Sequence, residues 1–211
     1  MIEIIPAILP KSWGELEMGL EKLAGLSPLV QIDVVKDIFG GHESLPMWEE
    51  YDFEFDIYVE PMTFVERALE LGASAVVVHA RHNTVRAALE VLQKNRGGEF
   101  ATAVGLALRP ADTPEVLQAY AGLYDYVQVM GIDHEGRQGE PYDPLVAELV
   151  RALRAAHPEL LIQVDGAAAG HVAALVQAGA TKLVIGSALL GADSPKAAYK
   201  ALYNTANGAH R

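Results

Sequence analysis

The chain has 211 residues, 51% of them hydrophobic and 21% charged, enough to bury one sizeable core as a single domain over residues 1–211. Its formal charge of −12 argues against nucleic acid or an anionic membrane as a partner, yet leaves room for a small anion held by backbone N–H groups. Without cysteine it can form no disulfide, thiolate metal site or thiol nucleophile, which fits a reducing, cytoplasmic setting. Met1–Pro6 lacks the basic region and cleavage site of a signal peptide, and no apolar run reaches membrane-spanning length.

In chain order, strands and helices alternate. Ile2–Leu9 reads as a strand, and Ser12–Leu26 has helical spacing opened by a capping box of Ser12 and Glu15. Strand Leu29–Val35 precedes a loop with Gly40-Gly41 and a short helical piece near Pro46–Tyr51. Phe53–Glu60, Ala75–Ala80 and Ala101–Leu108 read as strands, with Thr63–Leu71 and Thr84–Lys94 as the helices between them. Thr113-Pro114-Glu115 supplies a cap and then proline in the first turn of another helix. Strands Tyr126–Met130, Leu160–Asp165 and Leu183–Gly186 follow, each before a helix: Pro144–Ala156, His171–Gln177 and Pro195–Thr205.

Leu69–Val78 echoes Leu175–Val184. In both, a helix stops on glycine and a strand starts at once. Eight such units over this length predict a (β/α)8 TIM barrel of class α/β. A doubly wound sheet is the alternative, and no glycine-rich dinucleotide fingerprint follows the first strand to favour it.

Two strands end alike. Val30-Gln31-Ile32-Asp33-Val34 and Leu161-Ile162-Gln163-Val164-Asp165-Gly166 each carry one aspartate in an apolar run, a costly placement unless the carboxylate is paired, hydrated or used. The two suggest one site approached from opposite sides; two capping aspartates where strands end would look the same. Parity anchored on them puts Gln31, Tyr58, Glu60, His79, Met130 and Gln163 in the barrel interior as well. Most lie near C-terminal strand ends, where barrel enzymes do their chemistry. Singly, His79 or Gln163 also fits a satisfied polar core residue.

Pro6-Ala7-Ile8-Leu9, Gln31-Ile32-Asp33-Val34, Asp56-Ile57-Tyr58, Val78-His79-Ala80, Gly105-Leu106-Ala107-Leu108-Arg109-Pro110, Val164-Asp165-Gly166 and Gly186-Ser187-Ala188 form an ordered set. The set resembles the strand-end motifs of the ribulose-phosphate 3-epimerase family, over nearly the whole chain. Glu135–Pro144 falls where that family has a glycine-rich loop over its substrate, and brings Gly139 into the set. The resemblance implies a ribulose-phosphate-binding barrel and an isomerase of pentose phosphate metabolism. Its two aspartates, which move a proton on and off the carbon beside a ketone, map onto Asp33 and Asp165. Proximity to a cation or to each other would shift their pKa values, in opposite directions. The family's phosphate grip maps onto Gly166-Ala167 and Gly186-Ser187.

In the family the two aspartates share a divalent metal such as zinc with two histidines, whose positions here hold Gln31 and Tyr58. No metal or other cofactor is therefore expected. Ala7 stands for a serine, Lys36 for an acidic residue and Glu60 for a methionine. The expected substrate-binding residues are Gln31, Tyr58, His79, Met130, Gly139, Gly166, Ala167, Gly186 and Ser187, with Lys36, His79 and Tyr58 as candidates to stabilise an enediolate. Three functions fit: an epimerase or isomerase of a phosphorylated ketose, a non-catalytic phosphosugar-binding barrel, and a lyase with Lys36 as Schiff-base amine. The expected partner is a small phosphorylated sugar, with no nucleic acid and no membrane, and a homo-oligomer is a further expectation.

Overall fold

The structure, a computed structural model, describes residues 1–95, 101–132 and 142–209. Its strands are β1 (Glu3–Ile8), β2 (Leu29–Val34), β3 (Asp52–Ile57), β4 (Ala75–His79), β5 (Ala103–Leu108), β6 (Tyr126–Met130), β7 (Leu161–Asp165) and β8 (Lys182–Ile185). They form a closed parallel barrel in sequence order, with β8 pairing back onto β1. This is the expected (β/α)8 architecture. The α-helices are α1 (Trp13–Leu23), α2 (Val65–Glu70), α3 (Val85–Lys94), α4 (Leu145–Ala156), α5 (Val172–Ala178), α6 (Ser187–Leu190) and α7 (Pro195–Ala209). Among the described residues no helix is long and apolar enough to cross a membrane.

Local chemistry explains the element ends. Ser12 is extended and accepts a bond from the Glu15 amide at 3.3 Å, while the Glu15 carboxylate reaches back to the Lys11 amide at 2.8 Å. Helix α5 stops on Gly179, whose φ of 117° is left-handed. Two connections depart from the sequence expectation. Pro46–Tyr51 is turn rather than helix, with Met47 at a positive φ of 54° that interrupts helical geometry. Pro114–Tyr120 winds as a 3₁₀ helix, and Thr113 before it makes no side-chain cap.

The main core lies between strands and helices. Outward-facing Ile32, Phe55, Val78, Leu106 and Val164 pack with Leu20, Leu89, Leu153 and Leu175 of the helices, all fully buried. Phe39, Phe55 and Phe64 meet there with ring centroids 5.1–5.8 Å apart. Removing such side chains from water contributes roughly 1.5–3 kcal/mol each. The barrel's interior is different. It holds two small apolar clusters, Val77 with Ala107, Tyr126 and Met130, and Ile5 with Ala7 and Val184. The rest includes Gln31, Glu54, Asp56, His79, Gln128, Gln163 and Asp165, all buried, where branched apolar residues are usual. Gly105 makes room there: a Cβ on it would lie 2.7 Å from the Tyr126 ring.

Candidate active site

Strand register delivers the aspartates to one mouth. Asp33 pairs alongside Asp56, and Met130 alongside Asp165, at the C-terminal ends of β2, β3, β6 and β7. Gln31, one pleat lower on β2, sends its Nε2 up between the two: it donates to Asp33 Oδ1 at 2.9 Å and to Asp165 Oδ2 at 3.2 Å. The Tyr58 hydroxyl, one residue past β3, donates to Asp165 Oδ2 at 3.1 Å. Asp56 is held from both sides, with His79 Nε2 2.7 Å from Oδ1 and Gln128 Nε2 donating to Oδ2 at 2.6 Å.

Above this layer opens a cavity of about 220 Å³. Asp33, Asp165, Tyr58 and Met130 form its floor and wall, and Gly166, Ala167, Gly186 and Ser187 line its far side. Gly166 and Ala167 are consecutive left-handed residues, φ 95° and 50°, which turns the chain sharply after Asp165. For Ala167 that conformation costs on the order of 1 kcal/mol. Gly131 must be glycine: a Cβ there would fall 1.7 Å from the Gly166 carbonyl oxygen.

Burial controls the acidity of the aspartates. Enclosure, then the neighbouring charges of Asp165 and Asp56, holds Asp33 well above the usual carboxylate range, against a smaller pull from the Gln31 amide. Asp165 is pushed up to about 7, first by burial and next by Asp56, with the bonds from Gln31 and Tyr58 opposing. Both move upward.

The structure thus brings Gln31, Asp33, Tyr58, Met130 and Asp165 together with the two small-residue loops. His79 is inside the barrel as parity predicts, but its ring is buried against Asp56 and Tyr58 rather than on the cavity wall. Glu60 departs from its expected interior place: its carboxylate lies on the rim, accepting from the Thr84 amide at 3.1 Å and sitting 3.4 Å from His82. Lys36 is exposed and lines no part of the cavity, whereas a Schiff-base amine must reach the substrate carbonyl. Gly139 and its loop neighbours Glu135–Pro141 lie outside the described residues; beyond them, the Tyr142 ring stacks on His171 at 3.8 Å. Sequence parity missed Glu54, Asp56 and Gln128. The signal was present in Asp52-Phe53-Glu54-Phe55-Asp56-Ile57-Tyr58, where every second residue is polar.

Comparison with known proteins now adds a decisive observation: the sequence model of the Ribulose-phosphate 3 epimerase family matches residues 30–190. The chain belongs to the ribulose-phosphate 3-epimerase family. It is 30% identical to the ribulose-phosphate 3-epimerase of Schizosaccharomyces pombe over 159 residues, 74% of this chain and 68% of that one. It is 23% identical to the enzyme of that name from Aquifex aeolicus, over 92% of each chain. Among solved structures, 3-hexulose-6-phosphate synthase from Salmonella typhimurium superposes with a TM-score of 0.70 at 16% identity, over 100% of both chains. Orotidine 5'-phosphate decarboxylase from Pyrococcus horikoshii gives 0.66 at 15% identity, over 97% of this chain and 99% of that one. At such identities these likenesses speak for the fold alone.

The resemblance to ribulose-phosphate 3-epimerases implies a divalent metal between Asp33 and Asp165. By distance alone a cation has a place, since Asp33, Asp56 and Asp165 each offer an oxygen within 4.8 Å of the others. The surrounding donors do not fit it. Where the family has imidazoles, Gln31 points an NH₂ and Tyr58 an O–H at the same carboxylate oxygens, and the Gln31 hydrogens fill the space between the two aspartates. Both oxygens of Asp56 are already engaged by His79 and Gln128.

Proposed function

We propose that this chain is an epimerase or isomerase of a phosphorylated ketose similar to ribulose 5-phosphate, using Asp33 and Asp165 as its acid–base pair and no divalent cation. The observation that carries this reading is the meeting of both carboxylates, bridged by one amide, at the floor of a single cavity. Family membership and the phosphosugar names of its relatives support it.

One of the two aspartates, in its ionised form, acts as base on the carbon next to the ketone. As that C–H bond breaks, its electron pair forms the C–C double bond and the ketone oxygen becomes an enediolate oxygen. The other aspartate, in its protonated form, returns a proton to the opposite face, and a new C–H bond forms. The negative oxygen needs a donor, and the Tyr58 hydroxyl, which lines the cavity and bonds Asp165, would leave that carboxylate to supply its one proton there. Backbone N–H groups of Gly166-Ala167 and Gly186-Ser187 would hold the phosphate, with Met130 bounding the sugar. A cytoplasmic setting and a homo-oligomeric state belong to the same proposal.

The test is entry of solvent deuterium at the carbon beside the ketone of pentulose phosphates, which registers proton abstraction even when no net epimer accumulates. Wild type should exchange, and Asp33→Asn and Asp165→Asn should each lose on the order of 10²-fold or more. A second reading, a non-catalytic phosphosugar-binding barrel, draws on the replacement of both histidines by Gln31 and Tyr58. It prevails if deuterium never enters while a ketose phosphate still raises the melting temperature.

A further inference from the structure

Beneath the aspartates lies a second polar layer that the proton transfer does not touch directly. Glu54 is its centre, fully buried and absent from the cavity wall. The Tyr126 hydroxyl donates to its Oε2, and Gln163 Nε2 donates to its Oε1 at 2.7 Å. The same Gln163 nitrogen faces Gln128 Oε1 at 2.7 Å and Gln31 Oε1 at 3.2 Å. An amide nitrogen has two hydrogens, so three acceptors compete for them. On its other side, Gln163 Oε1 is buried with no hydrogen-bond partner among the described residues.

That arrangement has a direction. Turning the Gln163 amide over would set its oxygen against three oxygens and lose every bond its nitrogen makes. Gln31 and Gln128 could relieve such a clash, because a glutamine presents a donor when its own amide turns. An ionised Glu54 cannot, since both of its oxygens accept in any rotamer. The charged groups around it are Lys182 of β8, which favours its charge, and Asp56 on its own strand and Asp165 of β7, which oppose it. In its ionised form Glu54 is therefore the fixed end of a chain of amides. Gln163 turns its nitrogen to Glu54; Gln31 then turns its oxygen down to Gln163 and its nitrogen up to Asp33 and Asp165.

We propose that Glu54 is a positioning residue: through Gln163 it keeps the Gln31 N–H groups aimed at Asp33 and Asp165 whichever of the two holds the proton. The kinetic side of this inference rests on the proton-transfer reading above. During that reaction the proton changes sides, and an unrestrained Gln31 would turn its oxygen toward whichever carboxyl had become a donor. With Gln163 beneath, that rotation brings one NH₂ against another and is blocked. The amide thus replaces, with a fixed dipole, some of the positive charge that imidazole and metal give the pair in relatives.

Glu54→Met keeps the volume and deletes the acceptor, whereas Glu54→Gln keeps a carbonyl for Gln163. In ligand-free protein, the side-chain ¹H–¹⁵N pair of Gln31, assigned through its loss in Gln31→Met, should shift or split in Glu54→Met and return to its native position in Glu54→Gln. An unmoved Gln31 signal in folded Glu54→Met overturns the proposal. If Glu54→Met does not fold, Gln163→Leu cuts the same link, leaves Glu54 with Tyr126, and is judged by the same signal. In the deuterium assay, Glu54→Met should exchange on the order of tenfold more slowly at unchanged ligand affinity, with Glu54→Gln restoring the rate. Equal losses of rate and affinity would reduce Glu54 to a packing residue and overturn the proposal too. Wild type without exchange would sink the proton-transfer reading, and the amide signal alone would then decide the role of Glu54.

Discussion

Strand β3 carries Phe53, Phe55 and Ile57 on one face and Glu54 and Asp56 on the other, and both faces are buried. The outer face joins the apolar layer against the helices, where shape and area provide the stability. The inner face has the same exclusion from water and the opposite chemistry, since each buried oxygen needs a donor and burial makes Glu54 resist ionisation. Burial therefore stabilises on one side of the strand and costs free energy on the other. The inner cost is tolerated where the charge is used.

The largest expected contrast comes from the outer face. Phe55→Ala should cost about 3–5 kcal/mol in denaturant unfolding, because the hole opens between Phe39 and Phe64 in a rigid layer. Deuterium exchange in the fraction that stays folded should change little. A loss below about 1 kcal/mol would mean that the two faces are not so different in what they contribute.

Next is the pH dependence of the inner face. Asp165 is raised from 3.8 to about 7 on folding, so the folded chain binds this proton more tightly than the unfolded one. Its contribution to stability is complete below pH about 4 and is lost as pH rises through about 7. Glu54, raised from 4.5 to about 7, adds a loss of the same sign over a similar window. Asp165→Asn should therefore gain stability over wild type at pH 8 by about 2–4 kcal/mol, and the gain should vanish near pH 4. Melting temperatures across that range check it; a gain that grows toward acid would reverse the sign assigned here.

A smaller effect is expected where the faces meet at the mouth. Gly131→Ala puts a methyl into the Gly166 carbonyl and should destabilise by about 1–3 kcal/mol, with weaker binding of ketose phosphate by calorimetry because the Gly166–Ala167 turn must move. Binding equal to wild type would detach that turn from the cavity. Two further changes should do almost nothing. Dialysis against a chelator should leave the melting temperature and the exchange rate where they were, and elemental analysis finding about one metal per chain would contradict the amide-bridged pair. Lys36→Met should keep exchange within about twofold, since the side chain is exposed outside the cavity.

Much of the barrel was legible because its outer face obeys simple rules. Helices such as α5 end on glycine, and strands such as β4 follow with β-branched residues. Asp33 and Asp165 were legible as carboxylates at the ends of apolar strands. Asp56 and Glu54 left a signal in their alternation with Phe53, Phe55 and Ile57, but nothing in one strand's sequence tells a polar face turned into a closed barrel from one turned to solvent. His79 was placed inside but not against Asp56, since a parallel register carries no signal in the sequence of one strand. The missing helix near Pro46 turns on the positive φ of Met47, which its residue type disfavours.

Gly105 and Tyr126 occupy one volume between them, for the ring fills the place where a side chain at 105 would stand. Their histories are therefore ordered. A descendant cannot gain a methyl at 105 while the tyrosine remains, whereas shortening position 126 first leaves a hole that a later change at 105 can fill. The route from this polar interior to one of branched apolar residues thus begins at Tyr126, and its first step removes the hydroxyl that Glu54 depends on. Such a lineage would lose the acid soon afterwards, because a carboxylate stranded at the centre of a barrel is worse than a leucine. Substitutions at 54, 105 and 126 are expected to arrive together across relatives, with 126 leading.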